Sequence, residues 1–256
     1  MKWVVAVAVA VALGAFAYGW AARPHLPAAE RGRRLAERMG CFGCHGPGGI
    51  RGANNPGRTD LTVPGFEGDV MMFAKSPDEI RQWITTGTTE KRRVSETWQA
   101  QRKAGAIKMP AFGRRLERRQ INDLVAFVRA SSGSPEPPDS LSAYGLERAD
   151  SLGCTGCHGA GGRFARPNPR SLKGYLPSWD GEDFPELVTN REEFSQWVED
   201  GVSKRFRDNR AAKFYLDRAV VHMPAYRAHL APGDVDALWS YVQWLRSPET
   251  QQDLRR

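Results

Sequence analysis

The cysteines decide what chemistry this chain can do. All four fall in two five-residue runs, Cys41-Phe42-Gly43-Cys44-His45 and Cys154-Thr155-Gly156-Cys157-His158. In each run two thiols three positions apart are followed at once by an imidazole. Thiols at that spacing can each add to one vinyl group of a haem, and the histidine then stands against the iron as its proximal ligand. A zinc half-site or a redox dithiol uses the same spacing, but zinc needs further thiolates or histidines, and the chain has five histidines in all. Two occurrences in matching surroundings favour haem. The expectation is two covalently bound haem c groups, held through Cys41, Cys44 and His45 and through Cys154, Cys157 and His158. No cysteine is left over for a disulfide.

The sixth position on each iron decides between electron transfer and catalysis. Met109 lies 64 residues after His45, and Met223 lies 65 after His158. Each is followed by proline, which restricts the methionine backbone, and each stands just before the last helix of its half. A buried methionine is more often core than ligand; the repeated placement makes Met109 and Met223 the expected axial ligands. His-Met ligation raises the potential and leaves no open position for a substrate. His222 is a rival beside Met223, but Lys108 stands at its counterpart. Met71 and Met72 have no counterparts in the second half, and His25 and His229 read as surface residues.

Several elements must position these groups. Ala28 to Met39 reads as a helix that stops at Gly40, just before the first motif. Ser76-Pro77-Asp78-Glu79 is a helix start, with a serine cap, proline in the first turn and acids at the positive end. Ile80, Trp83 and Ile84 share a face of that helix, which ends at Gly87. Ile121, Leu124, Val125 and Val128 lie at helical spacing within about 117–130. The second half repeats this pattern. Gly32, Cys41 and Asn55-Pro56 recur 113 positions later as Gly145, Cys154 and Asn168-Pro169. Trp83, Gly87, Met109-Pro110 and Phe127 recur 114 later as Trp197, Gly201, Met223-Pro224 and Tyr241. A repeat in such register marks a duplicated unit. The expected division is 1–27 as an apolar segment and connection, 28–133 as the first unit, 134–142 as a linker and 143–256 as the second. Strand patterns are missing, so the fold class is mainly α.

Residues 3–22 form an unbroken apolar run of a length that crosses a bilayer, with Trp3 at one end and Tyr18 and Trp20 at the other as interfacial anchors. The reading is a retained membrane anchor, with a cleaved export signal as the alternative; either places the remainder on the periplasmic side. The formal charge of +8 is uneven. Residues 1–133 hold 21 Lys+Arg against 11 Asp+Glu, and residues 134–256 hold 16 against 18. No nucleic-acid motif accompanies the basic half, so nucleic acid is not an expected partner. The run Lys91, Arg92, Arg93, Arg102, Lys103, Lys108 reads as solvated surface or as steering toward an acidic redox partner.

Each half resembles a class I cytochrome c domain, and the chain from residue 28 onward resembles tandem di-haem c-type cytochromes. The resemblance implies two haem-wrapping helical domains that pass electrons between redox partners in a respiratory or photosynthetic chain. It also implies that Gly32 lets the first helix of a unit cross closely against Phe127, and Gly145 against Tyr241. A family proline carbonyl accepts from the proximal histidine, and Pro56 and Pro169 are its counterparts by position. The segments 88–108 and 202–222 are longer than in many relatives, which implies a helix over the haem edge or a docking surface. Related di-haem enzymes, a cytochrome c peroxidase or a thiosulfate dehydrogenase, are the alternative, as is a haem-carrying subunit of a larger oxidoreductase. Trp83 and Trp197 are expected to pack in the core or pocket.

Overall fold

The computed structural model describes residues 2–60, 62–67, 70–133 and 135–255, with the backbone alone at 70, 71 and 255. Its regular secondary structure is almost all helix. The chain begins with α1 (Lys2–Ala21), none of whose residues is buried and whose mean hydropathy of 2.1 suits a membrane span. The N-terminal half then runs through α2 (Ala28–Arg38), α3 (Phe42–His45), α4 (Val70–Phe73), α5 (Pro77–Thr86), α6 (Glu90–Arg93), α7 (Glu96–Ala104) and α8 (Arg118–Ser131). The C-terminal half follows with α9 (Ser140–Ser151), α10 (Cys154–His158), α11 (Phe184–Leu187), α12 (Arg191–Asp200), α13 (Lys204–Arg207), α14 (Arg210–Arg218), α15 (Asp234–Arg246) and α16 (Pro248–Arg255). Helix for helix, α2–α8 and α9–α15 follow the same order, and α16 has no counterpart. The only strands among the described residues are β1 (Arg166–Pro167) and β2 (Tyr175–Leu176), a two-residue antiparallel pair.

Local signals account for the helix ends. Ser76 accepts from the Glu79 N–H to cap α5, and Asn190 accepts from Glu193 to cap α12. Gly87 and Gly201 close these helices with φ of 74° and 76°, a left-handed turn that glycine adopts without strain. The stretch expected as linker to residue 142 is shorter than that. Asp139 accepts from the Ser142 N–H, and α9 is under way from Ser140; Ser134 lies outside the described residues. Thr89 caps α6 and Ser95 caps α7, so the basic segment 88–108 is two short helices joined at a turn, and 202–222 is built alike.

Each half is held by its first helix crossing its last. A methyl group added to Gly32 would lie 1.9 Å from the Asp123 carbonyl oxygen of α8, and one on Gly145 2.0 Å from that of Ala237 in α15. The same methyl groups would meet the Cβ atoms of Phe127 and Tyr241, so the close crossings implied by the resemblance are present. Around them Leu35, Ile80, Ile84, Leu124, Val125 and Val128 form one core, and Phe194, Val198, Leu238, Val242 and Leu245 another. Burying each such side chain contributes about 1.5–3 kcal/mol before chain entropy is set against it.

A side chain of the C-terminal half completes the core of the N-terminal half. Phe164, from the loop after the second motif, is 4 % exposed and belongs to the core of the N-terminal half. Its ring lies edge-on to Phe127 at 6.0 Å between centroids. Beside it Arg129 of α8 donates to the Asp253 carbonyl at 2.6 Å and pairs with the Asp253 carboxylate. The connection before α2 also touches the C-terminal half, where His25 donates from its backbone N–H and from Nδ1 to the Asp183 carboxylate, each at 3.0 Å.

Candidate functional site

Both motifs sit at helix ends that open onto a cavity. In the N-terminal half Cys41, Cys44, His45 and Met109 line a cavity of about 400 Å³. In the C-terminal half Cys154, Cys157, His158 and Met223 line one of about 720 Å³. Both volumes lie in the range of cofactor pockets, and the walls are mostly apolar. Each predicted set of four thus comes together around a single space, two thiols and an imidazole with a thioether. All four cysteines are unbridged.

The histidines are oriented for ligation. His45 Nδ1 donates to the Pro64 carbonyl at 2.9 Å, and His158 Nδ1 to that of Pro177 at 3.3 Å. A donor at Nδ1 fixes the tautomer that leaves a lone pair on Nε2. Burial holds both imidazoles below their ordinary pKa, which keeps them neutral and able to bind a metal. Phe66 lies 4.7 Å from the His45 ring and Trp179 5.1 Å from the His158 ring, centroid to centroid, which restricts rotation of each imidazole.

Pro64 and Pro177 replace the prolines expected from position. Pro56 and Pro169 carry different bonds, their carbonyls accepting from the Ala106 and Val220 N–H groups at 2.9 and 3.2 Å. The loop from each motif must travel farther, 19 residues past the histidine, before it returns beneath the ring. Both proline pairs recur at a spacing of 113, so the repeat could not tell them apart.

The methionines are delivered by a loop tied down at three points. Asn55 donates from Nδ2 to the Ile107 carbonyl at 3.0 Å and accepts from the Ile107 N–H at 2.8 Å. Asn168 makes the same pair with Val221, both bonds at 2.9 Å. These asparagines bind the chain two residues before each methionine like a rung of sheet. The Met109 carbonyl then packs on Gly87, where an added methyl would approach to 2.4 Å, and Met223 packs on Gly201 at the same distance. Beyond the Met-Pro pairs, the Phe112 and Tyr226 N–H groups donate to the Ile84 and Val198 carbonyls, each at 3.0 Å. The matching Asn-Pro pairs were the signal for this clamp, although the sequence did not say what they bind.

The rival ligands are engaged elsewhere. His222 Nε2 donates to the Leu216 carbonyl at 2.8 Å, and Lys108 Nζ to the Gly105 carbonyl at 3.0 Å. Met72 is 66 % exposed, and the Met71 side chain lies outside the described residues. Trp83 and Trp197 line the cavities with Nε1 donating to the Phe73 and Leu187 carbonyls at 2.9 and 3.0 Å, which makes them packing and anchoring residues.

The donor sets fit haem. A flat apolar ring with two reactive vinyl groups and an iron needs an apolar slot, two thiols on one edge, and nitrogen and sulfur ligands from opposite walls. The walls here supply these residue types. No curated protein matches the chain. Residues 29–132 match the family model of cytochrome c. The chain therefore carries a cytochrome c domain in its N-terminal half, and that family binds its haem c covalently.

Proposed function

We propose that the protein is a di-haem c-type cytochrome whose C-terminal half is a second cytochrome c domain, and that it passes electrons between two redox partners. The observation that carries this reading is the repeated set of two thiols, a tautomer-fixed imidazole and a clamped Met-Pro, each set around its own cavity. Bound haem supplies a one-electron couple at each site. The residues of the chain do the rest. Cys41, Cys44, Cys154 and Cys157 would tether the rings, and His45 with Met109 and His158 with Met223 would hold the irons. Pro64 and Pro177 keep Nε2 of each histidine unprotonated. The Asn55 and Asn168 clamps keep the methionines in place, so that neither oxidation state exchanges a ligand for water.

Internal transfer has a packed route. The Phe66 ring against His45 contacts Phe127 at 5.5 Å, Phe127 contacts Phe164 at 6.0 Å, and the Phe164 N–H donates to the His158 carbonyl at 3.2 Å. With α1 as a membrane anchor or export signal, the haem-bearing part lies at the outer face of the cytoplasmic membrane. The basic N-terminal half then meets an acidic face of one partner, and turnover with that partner slows as salt rises.

The test is a redox titration of the mature chain beside Met109→Ala and Met223→Ala, with haem counted per chain by mass. Two haems, two far-red bands of methionine-bound ferric iron, and loss of one band with a lowered potential in each variant are expected. A single haem per chain, or a variant whose potential stays put, overturns the assignment.

A further inference from the structure

The connection that follows the apolar helix is short and fastened at both ends. Ala22 and Arg23 still donate their backbone N–H groups to the Tyr18 and Trp20 carbonyls of α1, at 2.8 and 3.2 Å. Only Pro24, whose ring fixes φ, separates Arg23 from His25. The His25 N–H is shared between the Asp183 carboxylate at 3.0 Å and the Tyr175 hydroxyl at 3.3 Å, and Nδ1 makes a further bond to Asp183. Asp183 is 3 % exposed and is also held by Lys173, so the attachment point belongs to the packed C-terminal half. The Leu26 carbonyl then accepts from Arg31, which pairs with Asp123 of α8. The end of α1 is thus bolted to both halves and does not hang from a loose linker.

That attachment point is also the mouth of the second cavity, which Leu172, Lys173 and Asp183 line. The two residues from Arg23 to His25 reach at most about 7 Å, and the headgroup layer of a bilayer is about 5–7 Å thick on each side. With Trp20 at the membrane boundary, the mouth stands at the headgroup surface. The side chains around it suit that depth. Leu172, Phe214 and Val220 are 37, 54 and 61 % exposed. Phe214 lies between the lining residues Lys213 and Tyr215, and Val220 between Ala219 and Val221. Arg166, Arg170 and Arg218 are exposed on the same segments and carry no ion pair among the described residues. The acids of the mouth are already taken up, Asp183 and Glu186 by Lys173 and Asp217 by Lys213. In the first half the positions of Leu172, Phe214 and Val220 hold Thr59, Ala100 and Ala106, so the apolar tips belong to the second half alone.

We infer that this face of the C-terminal half rests on the outer surface of the bilayer that α1 spans, so that the second cavity opens at the membrane. The inference rests on the reading of α1 as a retained anchor. Leu172, Phe214 and Val220 enter the headgroup layer, and Arg166, Arg170 and Arg218 meet the lipid phosphates, the mixture of apolar tips and cations that an interfacial surface uses. Lipid is the occupant because the fastened connection keeps the bilayer beside this face at all times, and a protein would have to displace it. The mouth of the second cavity is then covered against large water-soluble partners.

The test places the full haem-loaded chain in vesicles of phosphatidylcholine and phosphatidylglycerol, with a photoreactive group on a fraction of the headgroups, and maps the labelled peptides by mass spectrometry. Label on 166–176 and 210–220 is expected several-fold above that on the corresponding segments 53–63 and 96–106. The double variant Phe214→Glu with Val220→Glu, both at exposed positions, should lower the label on 210–220 several-fold and leave that on 22–27 unchanged. Its melting temperature is measured beside the wild type to show that it folds. Label confined to α1 and 22–27, equal label on the corresponding segments of the two halves, or a folded double variant labelled like the wild type overturns this inference alone. A mature chain whose mass shows that residues 1–22 have been removed overturns the anchor reading and this inference with it.

Discussion

Replacing Asn55 or Asn168 by alanine removes the clamp on a methionine loop without touching any proposed ligand. Each asparagine is nearly sealed from solvent, at 4 and 3 % exposure, and makes two bonds of 2.8–3.0 Å to the backbone N–H and C=O of one residue. Each bond contributes about 1 kcal/mol net, and a buried group left unpaired costs about 1–3 kcal/mol. Ile107 and Val221 are half-buried, so water reaches part of the gap, and about 2–3 kcal/mol per variant is expected. The loss falls locally, since the loop carries few other bonds. The assay is thermal unfolding of the mature protein by helix circular dichroism and by the far-red methionine–iron band. In Asn55→Ala the band attributed to Met109 should fade well below the temperature at which the helices melt. Asn55→Asp separates the two bonds. It keeps the acceptor for the Ile107 N–H but sets a carboxylate oxygen against the Ile107 carbonyl. Its folded pKa is then raised above the unfolded value near 3.9, so its deficit relative to wild type grows as pH rises through that value and shrinks below it. If Asn55→Ala melts and loses its band as the wild type does, the clamp has no such role.

Three further perturbations test the frame. Gly32→Ala or Gly145→Ala brings a methyl within about 2 Å of a backbone oxygen. The overpacking of about 1–3 kcal/mol exceeds the roughly 1 kcal/mol that alanine gains in a helix, so the melting temperature falls; a rise would refute the close crossing. Asp234 is fully buried and accepts from Arg148 at 2.8 and 2.9 Å, from the Tyr144 hydroxyl at 3.1 Å and from the Ala231 N–H at 2.8 Å. Its carboxyl is held below its ordinary value first by the Arg148 hydrogen bonds. That contribution is complete above the ordinary carboxylate pKa and is lost as pH falls through the lower folded one. Asp234→Asn should therefore be less stable by about 1.5–3 kcal/mol at neutral pH, and urea titrations should show the gap closing below about pH 4. Phe164→Ala should cost about 3–5 kcal/mol and split one calorimetric transition into two, because that ring carries the C-terminal half into the core of the N-terminal half.

Much of the site was legible because it is written in short-range chemistry. The Cys-x-x-Cys-His spacing, the Ser76 cap, the left-handed Gly87 and the Met-Pro pairs each depend on neighbours within a few positions. The long-range part came from the family resemblance, which paired Gly32 with Phe127 and Gly145 with Tyr241, and the repeat added only that both pairs stand in register. Which carbonyl reaches each proximal histidine was not legible, because that depends on the path of a 19-residue loop and not on its composition. The two helices of 88–108 were signalled by Thr89 and Ser95 followed by acids, but the density of basic residues masked these caps. Phe164 was invisible for a different reason. It corresponds to Arg51 in the first half, and a contact made only once, between the halves, leaves no trace in a repeat.

What repeats and what differs separate by physical role. A methionine on a loop has no helix to hold it, and fixing each loop residue costs about 1–2 kcal/mol of backbone entropy. Two asparagine bonds, a glycine that admits the methionine carbonyl and a return bond to the preceding helix offset that entropy, and these occur in both halves with matching partners. The cavity edge is under no such demand. Arg58, Trp98 and Arg102 can become Ser171, Ala212 and Leu216 while α7 and α14 keep the same length and place, because Ser95 and Asn209 cap them equally well. The repeated parts thus hold each Met-Pro loop against its own cavity, while side chains at the cavity edge differ between the halves at no cost to that scaffold.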